Sequence, residues 1–327
     1  MLVITLGDPY SINQNCLMQL TELWARPQPG PVVLVGSLGQ WERQTQIFSW
    51  PSFSWKLIES WDAVPRQSPG LYFMPIDAAA REKTVDPSEL SSAERGGIAV
   101  RALEKLKSLP PSAELAVLTA PIDKKAASLA GFHFPGQTEF FEDLWQGSGI
   151  MILAGARLRV ALATNHLRLA AVTGAITEEL LQRKIRLFAA SLRSIFGLKA
   201  PRLGVAALNP HAGDGGLFGD EDQRVLAKAV AAARAEGYEV SGPHPADTVF
   251  FRAYQGQFDG VLAMYHDQGL GPLKTVHFYD AINVTGGLSA LRLSPDHGPA
   301  ADLFGSQAAR ADSFGLALQQ AHHFLGW

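Results

Sequence analysis

The segment Ala263–Asp302 has the sequence AMYHDQGLGPLKTVHFYDAINVTGGLSALRLSPDHGPAAD. An apolar run at 261–264 leads into it and predicts a buried parallel strand. His266 and Asp267 follow this run almost directly. Because ligands in open α/β sheets bind beyond the carboxyl ends of strands, a functional imidazole is expected at this point. The segment therefore predicts a parallel α/β sheet with a site at the end of one strand.

Two histidines upstream have similar settings. His166 lies in ALATNHLRL and His211 lies in VAALNPHAGDGG, each a few residues after an apolar, strand-like run. Together with His266 they match the pattern of a histidine-rich divalent metal site. The alternative is that each is an ordinary loop or capping residue, and the sequence leaves both interpretations open. Spacings of 45 residues (166 to 211) and 55 residues (211 to 266) match no local metal motif, so the fold has to assemble such a site.

Three hydrogen-bond donors follow within the same segment. They are Lys274, Asn283 and Arg292, two of which are positively charged. A set made of a lysine, an amide and an arginine is suited to holding an anionic substrate. We therefore predict an anion-binding function alongside the histidines.

Composition narrows the class of protein. The chain has 327 residues and a net charge of −3, with 47% hydrophobic and 18% charged residues. These values are ordinary for a soluble globular protein and give no reason to expect nucleic acid or an anionic membrane as a partner. The single cysteine, Cys16, excludes an intrachain disulfide and suits a reducing compartment. Without a basic-then-apolar leader or an apolar run of roughly 18 residues, the chain is expected to be cytoplasmic.

Strand-like and helix-like stretches alternate along the chain, which predicts a doubly wound α/β sheet. The pair Ile150–Ala154 and Leu158–Thr164 is expected to be antiparallel. The other main predicted strands are Leu2–Thr5, Pro31–Ser37, Ala116–Pro121, Leu203–Leu208 and Tyr238–Ser241. The main predicted helices are Ile12–Trp24, Gln40–Phe48, Ser91–Leu106 and Thr177–Phe196.

The length exceeds that of a usual single hydrophobic core, so two lobes are expected. No linker of biased composition marks the boundary between them. We place the first lobe at 1–130 plus 300–327, and the second, with the metal and substrate residues, at 131–299. Neither a G-x-G-x-x-G fingerprint nor a G-x-x-x-x-G-K-[ST] loop is present, so no Rossmann or P-loop site is predicted.

Seven phrases of the sequence together resemble the signature blocks of one family, 4-hydroxythreonine-4-phosphate dehydrogenase of pyridoxal phosphate biosynthesis. They occur in the family's order and spacing and span nearly the whole chain. The phrases are TLGDP (Thr5–Pro9), TAPIDK (Thr119–Lys124), FPGQTEFF (Phe134–Phe141), LNPHAGDGG (Leu208–Gly216), GPHPADTVF (Gly242–Phe250), AMYHDQGLGPLK (Ala263–Lys274) and INVTGGLSALRLSPDHGPAAD (Ile282–Asp302).

The resemblance implies a two-lobed α/β/α fold with mostly parallel sheets, similar to isocitrate and isopropylmalate dehydrogenases. That fold would use NAD or NADP without a Rossmann fingerprint. The resemblance also implies a homodimer with a shared active site, where His166, His211 and His266 bind a divalent metal such as zinc, magnesium, manganese or cobalt. The residues implied to bind the phosphorylated substrate are Gln137, Thr138, Lys274, Asn283 and Arg292.

The sequence departs from the family pattern in three places, so it is a divergent member. After Gly7-Asp8-Pro9 the family usually continues A-G-I-G-P-E, whereas this chain has Tyr10–Asn15. The family's G-H-T-E is Gly136–Glu139 here, so Gln137 replaces a histidine, and D-H-G-T is Asp296–Pro299. A glutamine can donate a hydrogen bond to phosphate but cannot carry charge. The three histidines and the set of Lys274, Asn283 and Arg292 are all present. Metal and anion binding are therefore expected to be intact, while the identity of the substrate stays open.

The implied reaction is the NAD(P)-linked, metal-dependent oxidation of 4-phosphohydroxy-L-threonine. The product, a β-keto acid, loses CO2 to give 3-amino-2-oxopropyl phosphate. Asp247 and Asp267 are the candidate catalytic carboxylates, either orienting a histidine or accepting a proton, with a structural cap as the alternative. Two other functions stay open: a dehydrogenase of another phosphorylated hydroxy acid, such as phosphothreonate or phosphoerythronate, and a non-catalytic ligand-binding relative.

Overall fold

The computed structural model describes residues 1–20, 28–50, 54–65, 68–76, 85–306 and 308–327. The chain divides into two compact units, Met1–Gly147 with Ser289–Trp327, and Ser148–Leu288. The expected lobes have the same discontinuous arrangement but different boundaries. The second boundary falls at Leu288 rather than 299 because residues 291–293 pair with a strand of the first unit.

The described part of the first unit is built on six parallel strands in the order β3-β4-β2-β1-β5-β12. β1, β2 and β5 are buried along their whole length and mostly apolar, with threonine at the ends of β1 and β5, as expected for strands covered on both faces. The strands are β1 (Leu2–Thr5), β2 (Pro31–Gly36), β3 (Lys56–Leu57), β4 (Gly70–Pro75), β5 (Ala116–Thr119) and β12 (Leu291–Pro295).

Two helices of the first unit show clear N-terminal caps. Ser91 and Glu94 form a reciprocal capping box at the start of α3, and Asp123 caps α4 through the Ala126 N–H. The described part of the helix predicted from Ile12 ends at Gln19, and its remainder to Trp24 lies outside the described residues. The helices are α1 (Asn13–Gln19), α2 (Leu38–Ile47), α3 (Ser92–Glu104), α4 (Lys124–Leu129), α5 (Gln137–Leu144) and α11 (Asp312–Leu325).

The second unit also has six strands, in the order β11-β6-β7-β10-β8-β9. As predicted, the strands on either side of Gly155 are antiparallel. β6 is also antiparallel to β11, and the remaining pairs are parallel. The strands are β6 (Ile150–Ala154), β7 (Arg159–Leu162), β8 (Leu203–Ala206), β9 (Val240–His244), β10 (Gly260–Ala263) and β11 (Ile282–Gly286).

Five α-helices complete the described part of the second unit. Thr177 caps the longest of them, α7, by accepting from the Leu180 N–H, and a π-helical turn at Asp222–Leu226 leads into α8. The helices are α6 (Leu169–Ala175), α7 (Glu178–Ser194), α8 (Ala227–Ala235), α9 (Ala246–Tyr254) and α10 (His266–Val276).

The predicted α/β fold with mostly parallel strands is confirmed. In the second unit one hydrophobic cluster contains Val160 and Leu162 of β7 and Val261 and Ala263 of β10, all fully buried, together with Phe258. Among the helices of the described ranges, none is long and apolar enough to cross a membrane.

Candidate functional site

Two of the three predicted histidines come together in the second unit. β7 and β10 are parallel neighbours with Leu162 opposite Ala263, so their carboxyl ends lie side by side. His166 follows β7 and His266 follows β10, and their ring centroids are 5.7 Å apart. The adjacent pairing of the two strands is what brings the imidazoles together.

A carboxylate fixes the orientation of one ring of this pair. His266 Nδ1 lies 2.7 Å from the Asp267 carboxylate, whose side chain is 89% exposed. With the Nδ1 proton donated to Asp267, His266 Nε2 carries the lone pair. Carboxylate–histidine pairs of this kind orient metal-ligating imidazoles and raise their basicity. Asp267 therefore has the contact expected of an orienting residue.

His211 is not part of this pair. Its strand, β8, is also a neighbour of β10, but the loop after β8 turns into five consecutive residues with left-handed backbone angles, 211–215. His211 is exposed, and its ring lies 6.3 Å from that of Phe218. Sequence reasoning predicted the loop but not its left-handed turn, which decides where the imidazole lies.

The left-handed turn is strained at three positions that are not glycine. His211, Ala212 and Asp214 have φ angles of 53°, 57° and 43°. Each such residue costs about 1 kcal/mol or more. The loop therefore needs anchors, and the Asp222 carboxylate supplies two by accepting from the Leu208 and Asn209 N–H groups at 2.8 and 3.0 Å. Backbone bonds to a charged acceptor contribute about 1.5–3 kcal/mol each, enough to offset strain of this size.

The donor chemistry at this end of the sheet fits a divalent metal, but the number of donors in one chain falls short. His166 and His266 supply two imidazoles, and Asp267 supplies the outer carboxylate. Within the described ranges, no group of three or more His, Cys, Asp or Glu side chains is placed to hold an ion. A third histidine ligand would therefore have to come from a position other than the one that His211 occupies in the same chain.

The other predicted residues of the second unit lie on separate elements. Asp247 is exposed in the first turn of α9, and Lys274 lies in the last turn of α10, with its Nζ 5.6 Å from the Phe278 ring centroid. Asn283 lies on β11 with its amide nitrogen 3.5 Å from the Met151 sulfur, while its carbonyl oxygen is buried without a hydrogen-bond partner.

The predicted arginine forms a second cluster, in the first unit. Arg292 on β12 is only 4% exposed, and it donates to the hydroxyls of Thr119, at 2.8 Å, and Thr138, at 3.3 Å. Burial lowers the pKa of Arg292 to about 10, and the nearby carboxylate of Glu139 opposes that shift. Arg292 is thus a buried cation that donates to two neutral hydroxyls. A guanidinium in such surroundings is suited to receiving an anion.

Gln137 is turned towards the backbone. Its amide nitrogen donates to the Ala120 carbonyl at 3.1 Å, while its amide oxygen is buried without a hydrogen-bond partner. The same loop is also bound by Asn13, which donates to the Pro121 carbonyl at 2.8 Å. The Ala120 carbonyl takes one of the two N–H groups of the Gln137 amide, which leaves at most one for the expected contact with phosphate.

Three residues that the sequence analysis did not single out support these clusters. Gln268 bridges two strand ends, accepting from the Met264 N–H and donating to the Ala207 carbonyl at 2.7 Å each. Thr119 accepts a hydrogen bond from Arg292, and Asp222 accepts from the two residues that lead into the His211 loop. The position of Thr119 as the polar end of an apolar strand is a signal in the sequence that could have identified it. The acidic run 220–222 gives no sign of which member is buried.

Comparison with known proteins identifies one group. The sequence model of a family described as "Pyridoxal phosphate biosynthetic protein PdxA" matches residues 29–321. The D-threonate 4-phosphate dehydrogenase of Salmonella typhimurium is 35% identical over 324 residues, which cover 97% of each chain. The 4-hydroxythreonine-4-phosphate dehydrogenase of Methylorubrum populi is 38% identical over 326 residues, 98% of this chain and 93% of that one.

Solved structures give the same result. The crystal structure of a 4-hydroxythreonine-4-phosphate dehydrogenase from Klebsiella pneumoniae matches with a TM-score of 0.82 and 34% identity, over 99% of each chain. A terephthalate 1,2-cis-dihydrodiol dehydrogenase from Burkholderia xenovorans has a TM-score of 0.67 at 22% identity over 99% of this chain and 97% of that one, which shows a shared fold only.

Proposed function

Because this chain belongs to the pyridoxal phosphate biosynthetic protein PdxA family, we propose that it oxidises the secondary alcohol of a small phosphorylated hydroxy acid. The chain is an oxidoreductase of the dehydrogenase class. The observation that carries the proposal is the Arg292 cluster, where a buried guanidinium is held by the hydroxyls of Thr119 and Thr138. A dianionic phosphate is the ligand that such a cluster binds best.

Arg292 and Thr138 bind the phosphate of the substrate in this proposal. Arg292 supplies a planar fork of donors, and its burial strengthens each hydrogen bond by excluding water. Lys274 and Asn283 contribute further donors to the substrate. One N–H of the Gln137 amide stays on the Ala120 carbonyl, so Gln137 shapes the loop beside the phosphate and has at most its second N–H to donate to it.

His166, His266 and a His211 would hold a divalent metal, which would supply a Lewis acid that lowers the pKa of the substrate alcohol and polarises the new carbonyl. A bound NAD or NADP would supply the hydride acceptor. Asp267 holds the Nδ1 proton of His266 and keeps Nε2 available as a ligand. Asp247, exposed at the start of α9, accepts the proton released by the alcohol.

A homodimer follows from the same proposal. The segments next to the histidines expose large apolar side chains: Leu167 and Leu169 after His166, and Leu217 and Phe218 after His211, from 45% to 73% exposed. Apolar groups concentrated around a polar site mark a contact surface. A second copy of the chain would cover them and supply the His211 that one chain does not place beside His166 and His266.

The identity of the substrate distinguishes the remaining alternative functions. One curated relative acts on 4-hydroxythreonine 4-phosphate and another on D-threonate 4-phosphate, as their names state. The two compounds share the phosphate that Arg292 binds and differ in the amino or hydroxyl group near the reacting alcohol. We favour oxidation of 4-phosphohydroxy-L-threonine to the β-keto acid that loses CO2 to give 3-amino-2-oxopropyl phosphate, a step of pyridoxal 5′-phosphate biosynthesis.

The experiment that tests this is steady-state NADH or NADPH formation with purified protein and a panel of phosphorylated hydroxy acids. The panel contains 4-phosphohydroxy-L-threonine, D-threonate 4-phosphate, D-erythronate 4-phosphate and their dephosphorylated forms. We expect turnover with a phosphorylated compound and a much lower kcat/KM for its dephosphorylated form. Preference for a threonate or erythronate phosphate would assign the related dehydrogenase. Binding of these compounds without reduction of either cofactor would indicate the non-catalytic relative.

A further inference from the structure

The second unit contains a buried carboxylate that the proposed reaction does not use. Asp222 is 0% exposed. Its two oxygens accept separately from the backbone N–H groups of Leu208 and Asn209, the two residues that leave β8 for the His211 loop. The carboxylate therefore determines the direction in which the chain enters that loop.

The rest of the loop packs against residues 219–222, the segment that contains Asp222. The Asn209 side chain donates to Glu221 at 2.8 Å, and the Phe218 N–H donates to the Gly213 carbonyl at 3.1 Å. Gly213 has a φ of +83°, and a Cβ there would lie 2.8 Å from the Gly219 carbonyl oxygen. The left-handed turn is thus packed against residues 219–222, with Asp222 at its base.

The backbone around Asp222 is itself irregular. The N–H of Ala227 donates to the Asp222 carbonyl, five residues back, so a π-helical turn lies at Asp222–Leu226, just before α8. Such turns are rare and frequently lie at functional sites. The irregular turn places the Asp222 side chain under β8, where it reaches both amides.

We propose that Asp222 is a positioning residue: its bonds to Leu208 and Asn209 hold the left-handed loop that presents His211 to its ligand. The assignment of a metal as that ligand rests on the proposed function, whereas the anchoring of the loop does not. Mutation of residues that hold metal ligands in position typically lowers metal affinity or activity about 10- to 100-fold.

Asp222→Asn is the variant to test, because it keeps the shape of the side chain but turns one acceptor into a donor facing a backbone N–H. Asp220→Asn is the matched control, since Asp220 is exposed and paired with Arg224 at the surface. Co²⁺ is the probe: its affinity is measured by calorimetry and its coordination by visible absorption. Amide hydrogen exchange at Leu208 and Asn209 reports on the loop separately.

We expect Asp222→Asn to bind Co²⁺ about 10- to 100-fold more weakly, with an absorption spectrum shifted towards that of His211→Ala. Exchange at Leu208 and Asn209 should accelerate, while Asp220→Asn should match the wild type throughout. Faster exchange with unchanged Co²⁺ affinity and spectrum overturns the proposal.

Two further outcomes also test the proposal: a variant that does not fold, and a wild type that binds no Co²⁺. If Asp222→Asn fails to fold, the wild type gives the answer: rapid exchange of the Leu208 and Asn209 amides overturns the proposed anchoring, and strong protection supports it. If the wild type binds no Co²⁺, the metal part of the proposed function fails. The exchange comparison of Asp222→Asn with Asp220→Asn then judges the anchoring alone.

Discussion

At the scale of single residues, Arg292 shows how much depends on what surrounds a side chain. The sequence predicts it as an anion-binding donor, but its surroundings come only from the fold. β12 and β5 are parallel neighbours, which places Arg292 beside Thr119 at the carboxyl end of β5. Burial lowers the pKa of Arg292 to about 10, so the guanidinium stays charged at neutral pH.

Arg292→Gln should lower kcat/KM for the phosphorylated substrate roughly 10- to 150-fold. The reason is the loss of at least one charge-assisted hydrogen bond worth about 1.5–3 kcal/mol, with about 1.4 kcal/mol for each factor of ten. Arg310→Gln is the control, because Arg310 is exposed and pairs with Asp312. Steady-state kinetics with folded variants measure both. An unchanged kcat/KM in Arg292→Gln would show that Arg292 does not bind the substrate.

A second residue-scale prediction concerns Cys16. The thiol is fully buried and lies 3.3 Å from the Arg310 carbonyl, and burial, aided by Asp312, raises the pKa of Cys16 to about 12. The thiolate is the reactive form of cysteine, so the native thiol should resist Ellman's reagent at pH 8. One equivalent should react after unfolding in guanidinium chloride. Rapid stoichiometric labelling of the native protein would contradict this placement.

At the scale of secondary structure, the sequence predicts elements well where a single local rule determines them. The helix predicted from Ser91, which begins with the Ser91–Glu94 capping box, and the antiparallel pair around Gly155 are confirmed, since capping and alternation are local patterns. β4 (Gly70–Pro75) was missed because a short apolar strand carries no periodicity. The left-handed turn after β8 was missed because its residues are held by Asp222, which lies several positions further along the chain.

Helix α3 offers a matched pair of glycines for a test of element packing. A Cβ on Gly96 would lie 1.9 Å from the Ala126 carbonyl oxygen of α4, whereas one on Gly97 would meet only the end of the Arg101 side chain, at 3.2 Å. Gly96→Ala should destabilise the protein by about 1–3 kcal/mol, because backbone cannot move aside cheaply. Gly97→Ala should be neutral or stabilising by up to about 1 kcal/mol, through higher helix propensity. Chemical denaturation of both variants measures the difference, and equal stabilities would refute the close approach of α3 and α4.

At the scale of the whole molecule, the histidines explain why the site could be predicted only in part. All three follow strands, as the sequence suggested, and the structure places β10 between β7 and β8 in the sheet. The resemblance alone does not state which of them share a chain, and the structure pairs His166 with His266. His211 is turned away by its loop. Subunit exchange is the measurement that distinguishes the sources of the three imidazoles.

Mixed dimers of His211→Ala with His166→Ala should regain activity. One subunit then keeps the His166–His266 pair and the other keeps His211, so each heterodimer should have about one working site in two. Mixing His166→Ala with His266→Ala should restore nothing, because both changes fall on the same pair. Activity of separately tagged, purified heterodimers measures this. Recovery in the second mixture but not in the first would reverse the assignment.

The order in which the two units occupy the chain has a consequence for synthesis on the ribosome. The second unit, Ser148–Leu288, is continuous and can fold as soon as it emerges. The first unit waits for its last 39 residues, Ser289–Trp327, which bring β12 to β5 and deliver Arg292. At roughly 5–20 residues per second, translation of that stretch takes about 2–8 s. During that interval the histidine-bearing unit is fully synthesised while β5 has β1 but not β12 beside it, so the nascent chain meets chaperones with that edge of the first unit still open.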